Sequence, residues 1–254
     1  MRVHVKYWKC LFLLLFGFLI QVRAQEKCKQ ELKDIFRQMQ NAMPSGDQQM
    51  YYLNYAVKTV MADSANHPPQ ESTIELWLKG KLMEIKSKEM LVYQDQDEAF
   101  VVIPAKKMIM RNDAVMDQKE VLQKQYALVQ DTLLKRSTVH SCIAVKGNGY
   151  NRVITLRMNE QAQELSGMYQ AEYYVDTEAA QIKQVRVYYT ENHSSGMGQE
   201  LLYTQYSFTK TSYDYKGKTL HDKVENKFMK NAVVLKEAYK GFSLVDNRQK
   251  AGSK

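Results

Sequence analysis

The chain has 254 residues, of which 25% are charged and 11% aromatic, and a formal charge of +8. Arg2, Lys6, Lys9 and Arg23 supply four of those charges before residue 25 with no acidic residue among them, which leaves +4 for the remaining 230 residues. Lys and Glu alternate there and form no basic block, a pattern that excludes a nucleic-acid groove.

The chain opens with that basic start followed by an uncharged apolar run, Cys10 to Ile20. The run is shorter than the roughly 20 apolar residues that span a bilayer. Val22 and Ala24 then stand at the −3 and −1 positions of a signal-peptidase site. Residues 1–24 are therefore expected to be a secretory signal cleaved after Ala24, and residues 25–254 a single mature domain. An uncleaved anchor is disfavoured by the short run, and no later segment is apolar enough to cross a membrane as a helix, so an integral membrane protein is not expected. A lipid-modified N-terminal cysteine is also not expected, because Cys28 follows Gln25, Glu26 and Lys27.

Leu32, Ile35, Phe36, Met39 and Met43 share one face of a helix from about Gln25 to Met43, which Pro44-Ser45-Gly46-Asp47 stops. Tyr51, Leu53, Tyr55, Val57, Thr59 and Met61 alternate with more polar neighbours as in a strand with one buried face. Asp63 to Ser72 reads as a loop. From Thr73 a meander follows, with Ile74, Leu76 and Leu78 on one side and further strands at Met90 to Tyr93, Phe100 to Ile103 and Met108 to Met110. Asp95-Gln96-Asp97-Glu98 reads as a solvated turn between two of them.

The period then becomes helical: Leu122, Tyr126, Val129 and Leu133 share a face between Asp117 and Lys135, with capping-box spacing at Asp117 and Glu120. Asn148-Gly149 predicts a hairpin between Val139 to Val145 and Tyr150 to Met158. Strands are expected next at Leu165 to Val175, Ile182 to Tyr189, Leu201 to Tyr213, Val224 to Lys230 and Val233 to Leu244. About ten strands and two one-sided helices describe a mainly β, α+β domain: a curved antiparallel sheet or half-barrel covered by two helices.

Catalytic and metal-binding motifs are absent from the sequence, so neither an enzyme nor a cofactor is expected. His67, His140, His193 and His221 are far apart and lack a second ligand at metal spacing. His140 and Cys142 alternate on a strand and thus point the same way, but a structural role suits Cys142 better than a thiolate–imidazole dyad. Asp95, Asp97 and Glu98 lack the glycine and distal carboxylate of a calcium loop. Gly147-Asn148-Gly149 lacks the third glycine and the helix of a phosphate cradle. With Cys10 in the signal, Cys28 and Cys142 remain, either as two buried thiols or as a bridge that would stabilise by about 4–5 kcal/mol. The 17 Tyr and 14 Met suit either an ordinary β core or a pliable apolar pocket.

The layout of signal, amphipathic helix, long strand, loop, meander, mid-chain helix and further strands resembles the LolA/LolB-type periplasmic lipoprotein carriers. Trp77-Leu78-Lys79-Gly80, Tyr93-Gln94-Asp95 and Phe100 to Ile109, with its Pro104-x-x-Lys107 turn, carry that resemblance. It implies a half-barrel that shields acyl chains in the periplasm of a Gram-negative cell, with a lipid or lipoprotein as partner. For such a carrier Leu76, Leu78, Tyr169 and Tyr173 are the expected ligand-binding residues of the cavity. The other reading is an envelope interaction or assembly protein with a filled β core, no small-molecule ligand and another envelope protein as partner.

Overall fold

The computed structural model describes residues 25–43, 48–114, 133–146, 149–191 and 200–248. The expected signal, nearly all of the helix expected at Asp117 to Lys135, Asn148 of the expected hairpin turn, and His193 lie outside the described residues. In chain order the elements are α1 (residues 25–42), β1 (Tyr51–Met61), β2 (Gln70–Lys79), β3 (Leu82–Lys86), β4 (Leu91–Gln94), β5 (Glu98–Ile103), β6 (Met108–Asp113), β7 (Ser137–Ala144) and β8 (Arg152–Met158). They continue with α2 (Glu160–Ser166), β9 (Met168–Asp176), β10 (Gln181–Tyr189), β11 (Leu201–Ser212), α3 (Glu225–Phe228), β12 (Met229–Asn231), β13 (Val234–Leu235) and β14 (Ser243–Asp246). The class is mainly β with helices, as the alternation implies.

The chain divides into two compact units, residues 1–39 with 129–203 and residues 40–128 with 204–254. In the first unit the strands run β10-β9-β8-β7. Leu32, Ile35 and Phe36 of α1 are buried, as are Ile154, Leu156, Ala171 and Val175 of the sheet. The Phe36 ring meets Tyr173 edge-on, with centroids 5.7 Å apart. A disulfide joins Cys28 of α1 to Cys142 of β7. Nearby, Lys29 Nζ donates to the Ser137 carbonyl at 2.8 Å and Glu31 pairs with Arg152.

In the second unit the order is β14-β6-β5-β4-β3-β2-β1-β11, with β12 and β13 as a separate hairpin. Strands β1 to β6 pair antiparallel in sequence, and β14 adds to β6 in parallel. Their register aligns Tyr52, Trp77, Glu84, Tyr93, Phe100 and Arg111 in one row across six strands. The segment after β11 covers this row. Phe228 is fully buried, stacked on Phe100 at 4.8 Å and edge-on to Tyr93 at 5.3 Å.

Five local expectations are corrected. Strand β2 starts at Gln70, inside the expected loop, because Gln70, Glu71 and Ser72 pair with Thr59, Lys58 and Val57. Leu165 belongs to α2 and is 72% exposed. Asn159 Oδ1 caps that helix by accepting from the Ala162 N–H at 2.9 Å, and Gly167 ends it at φ 67, a backbone only glycine adopts without strain. The strand expected at Val224 to Lys230 is α3 followed by β12, and Val233 to Leu244 breaks into β13, a 3-10 turn and β14. Finally, Asp95 and Glu98 are buried rather than solvated. Asp95 accepts from the N–H groups of Asp97, Glu98 and Val224 at 2.8, 2.9 and 2.7 Å. Strand β3 has only five residues, too few for alternation alone to mark it.

Glu98 receives Arg111 Nε at 2.5 Å, and the same guanidinium donates to Glu225 at 2.8 Å and to the Ala232 carbonyl at 3.0 Å. Burial disfavours this cation, but the two carboxylates outweigh the penalty and raise its pKa. Truncating one partner of a buried pair strands the other charge, so Arg111→Leu should lower unfolding free energy by about 3–5 kcal/mol in urea titrations. Limited proteolysis should then cut the segment after β11 first. Replacing both Cys28 and Cys142 by Ala should cost about 2–5 kcal/mol by the same titration.

Candidate functional site: a half-buried apolar face

Because side chains alternate across a strand, the register that builds one row in the second unit builds another on the opposite face. Leu53, Leu76, Ile85, Val92, Val101 and Met110 align across β1 to β6. All six are apolar, yet only Val92 is buried and the other five keep intermediate exposure. Beside them Met43, Tyr51, Leu78 and Met83 form a buried cluster on which Leu53, Leu76, Ile85 and Val101 pack. A six-strand apolar strip half open to water is the chemistry of a site for hydrocarbon. Met43, Met83 and Met110 add unbranched thioethers that adapt to an irregular ligand.

The two faces differ sharply in polarity. On the covered face, Lys218 Nζ lies 3.5 Å from the Trp77 ring centroid and 2.8 Å from Glu84, which also pairs with Lys86 at 3.1 Å. Burial pushes the Glu84 carboxyl up, but Lys218 and Lys86 overcome this and hold it below the usual carboxylate range. Burial lowers the Lys218 ammonium despite the pull of Glu84. Burial also pushes the Tyr93 hydroxyl up to about 12, with the Glu84 charge adding to the shift. A cleft of about 470 Å³ at the β2–β3 turn is lined by Gln48, Lys79, Lys81, Gln96 and Asp222 beside Gly80 and Leu82. That polar lining does not suit an acyl chain.

The four residues expected to bind ligand divide between the units. Leu76 lies in the half-buried row and Leu78 in the buried cluster beside it, both in the second unit. Tyr173 sits inside the core of the first unit, where complete burial raises its pKa. Tyr169 is half-buried in that unit, its ring 6.0 Å from Tyr188. Ile85, Val101 and Met110 join the site although sequence reading did not name them. Apolar stretches marked the strands of Val101 and Met110, none marked β3 with Ile85, and only register aligns all three with Leu76. Cys142 is in the disulfide and offers no thiolate to His140, which is exposed. Among the described residues no group of three or more potential ligands could hold a metal, and no helix is long and apolar enough to cross a membrane.

No family model and no curated protein matches the chain. Solved structures do match. A conserved protein from Thermus thermophilus is 8% identical at a TM-score of 0.38, covering 84% of this chain and 97% of its own. A LolA superfamily protein from Nitrosomonas europaea is 12% identical at a TM-score of 0.29, covering 75% and 95%. An outer membrane lipoprotein-sorting protein domain from Vibrio parahaemolyticus is 12% identical at a TM-score of 0.31, covering 76% and 95%. The structural neighbours thus include the superfamily whose layout the sequence resembles, at scores too low to assign a function.

The Glu84 pair gives the covered face a pH signature. A carboxylate whose folded pKa is depressed stabilises the fold above its unfolded value, near 4.5, and loses that stability as pH falls through the folded value. Melting temperature should therefore drop as pH falls below about 4.5, and Glu84→Gln should flatten part of that drop in thermal scans.

Proposed function

We propose that this protein is an exported, non-enzymatic carrier or binding protein for the acyl chains of a lipid or lipoprotein in the periplasm of a Gram-negative cell. The half-buried row from Leu53 to Met110 carries the reading, with Leu76 as a ligand-contacting residue and Leu78 supporting it from the buried cluster. Each methylene moved from water onto such a wall gains about 0.8 kcal/mol, so ten buried methylenes offer about 8 kcal/mol before the cost of ordering the chain. Association and ordering offset several kcal/mol of that gain, so about 16 methylenes, about 13 kcal/mol gross, are needed for apolar area alone to reach micromolar binding, about −8.2 kcal/mol. Export is supported by the basic and apolar start and by the Cys28–Cys142 disulfide, since such bonds persist in oxidising compartments.

A second reading is an envelope interaction protein without a small-molecule ligand. The filled core of the first unit favours it, because Phe36, Ile154, Tyr173 and Val175 leave their own interface closed.

Native mass spectrometry of residues 25–254, purified from a periplasm without detergent, separates the two. Bound mass that leaves on organic extraction and matches lipid or lipopeptide is expected. A bare protein that also fails to take up a fluorescent fatty acyl probe would remove the carrier reading. Leu76→Glu places a charge in the row at a half-exposed position, so it should weaken probe binding at least about tenfold. Circular dichroism should show the fold retained.

A further inference from the structure

Hairpin β12–β13 presents an apolar tip to solvent. Val233 is 77% exposed and its neighbour Val234 46%, whereas the exposed Ile143 and Leu165 have no exposed large apolar residue beside them in sequence. Isolated apolar residues on a surface need no explanation, but an adjacent exposed pair at the turn of a hairpin invites one.

The tip is held firmly. Asn231 Oδ1 accepts from the N–H groups of Val233 and Val234 at 3.1 and 2.9 Å, and the Ala232 carbonyl accepts from buried Arg111 at 3.0 Å. At the base, the Lys236 N–H donates to the Phe228 carbonyl at 2.8 Å, while Phe228 and Met229 are buried. The two valines are thus braced outward where a flexible loop would fold them back.

The chain on either side of the tip is net positive, even with exposed Asp222 just before it. Residues 223–240 hold five lysines (Lys223, Lys227, Lys230, Lys236 and Lys240) against Glu225 and Glu237, a net of +3 in a chain whose residues after 24 total +4. Glu225 is already paired with Arg111 and Glu237 with Lys240. Lys223, Lys230, Lys236 and Lys240 are exposed. A short apolar tip flanked in the chain by exposed lysines complements a surface that is anionic outside and hydrocarbon just beneath. Each basic residue near anionic headgroups contributes about 1 kcal/mol, and an apolar wedge inserted among acyl chains adds to it.

We propose that the β12–β13 hairpin is a membrane-docking device that inserts Val233 and Val234 into the interface of an anionic bilayer while the flanking lysines meet its headgroups. This inference does not depend on acyl-chain binding at the Leu76 row. The same tip could deliver a carrier to its membrane or hold an assembly protein on one.

The test is flotation of the protein with vesicles of equimolar phosphatidylcholine and phosphatidylglycerol, against vesicles of phosphatidylcholine alone. Binding to the anionic vesicles only, weakened by high salt, is expected. Val233→Ser with Val234→Ser should reduce that binding about tenfold or more, and Lys223→Gln with Lys230→Gln should reduce it and blunt the salt dependence. Both sets of sites are exposed, so the circular dichroism spectrum and acyl-probe uptake should match those of the parent. Failure of the parent to float with anionic vesicles would overturn the proposal, as would undiminished flotation of the valine variant. A partner protein captured at the tip without vesicle binding counts against it too.

Discussion

Cross-strand register in β1 to β6 decides which side chains of the second unit meet protein and which stand half in water. Alternation along a strand has a period of two, so a slip of one residue would exchange the Trp77–Glu84–Tyr93 row for the Leu76–Ile85–Val92 row. Charges and aromatics that need partners would then face the apolar side. The two rows are so different in chemistry that the slipped arrangement would leave Glu84, Lys86 and Arg111 without their partners. The register is therefore specified by the cost of mispairing as much as by the contacts made.

The same constraint explains why one face is closed and the other is not. Arg111 and Glu98 sit opposite the covering segment and require it: their hydrogen-bonding capacity is met by Glu225, the Ala232 carbonyl and Arg248. An Asp95 carboxylate holding the Val224 N–H fixes where that segment turns into α3. Buried charges of this kind add little net stability, yet they tolerate only one arrangement. They set the path of the chain from Val224 to Arg248 and brace the hairpin within it. The Leu53-to-Met110 row carries no polar side chain, and hydrocarbon can be left half-exposed at modest cost or covered by an apolar ligand.

Much of this was legible in the sequence. Helix α1 and the bounds of β1 follow from periodicity, because one element's face is a local property. Leu76 and Leu78 were visible as alternating apolar residues for the same reason. The covering segment was misread: Val224 to Lys230 is apolar enough to resemble a strand, but α3 forms there because Asp95, 129 residues earlier, takes the Val224 N–H. Leu165 was assigned to a strand because the Asn159 cap and Gly167 stop, which make α2, carry weight only when the backbone places them at helix ends.

The sequence by itself determined the class of structure: a mainly β chain with an amphipathic helix, strands of alternating polarity and two cysteines after the basic, apolar start. These are consequences of residue chemistry at short separation. Tertiary structure decided that six apolar residues from six strands stand in one half-open row, that Cys28 and Cys142 meet, and that Asp95 and Glu98 are interior charges. The row depends on cross-strand register, which alternation within one strand does not encode, and the disulfide, Asp95 and Glu98 depend on partners more than a hundred residues away.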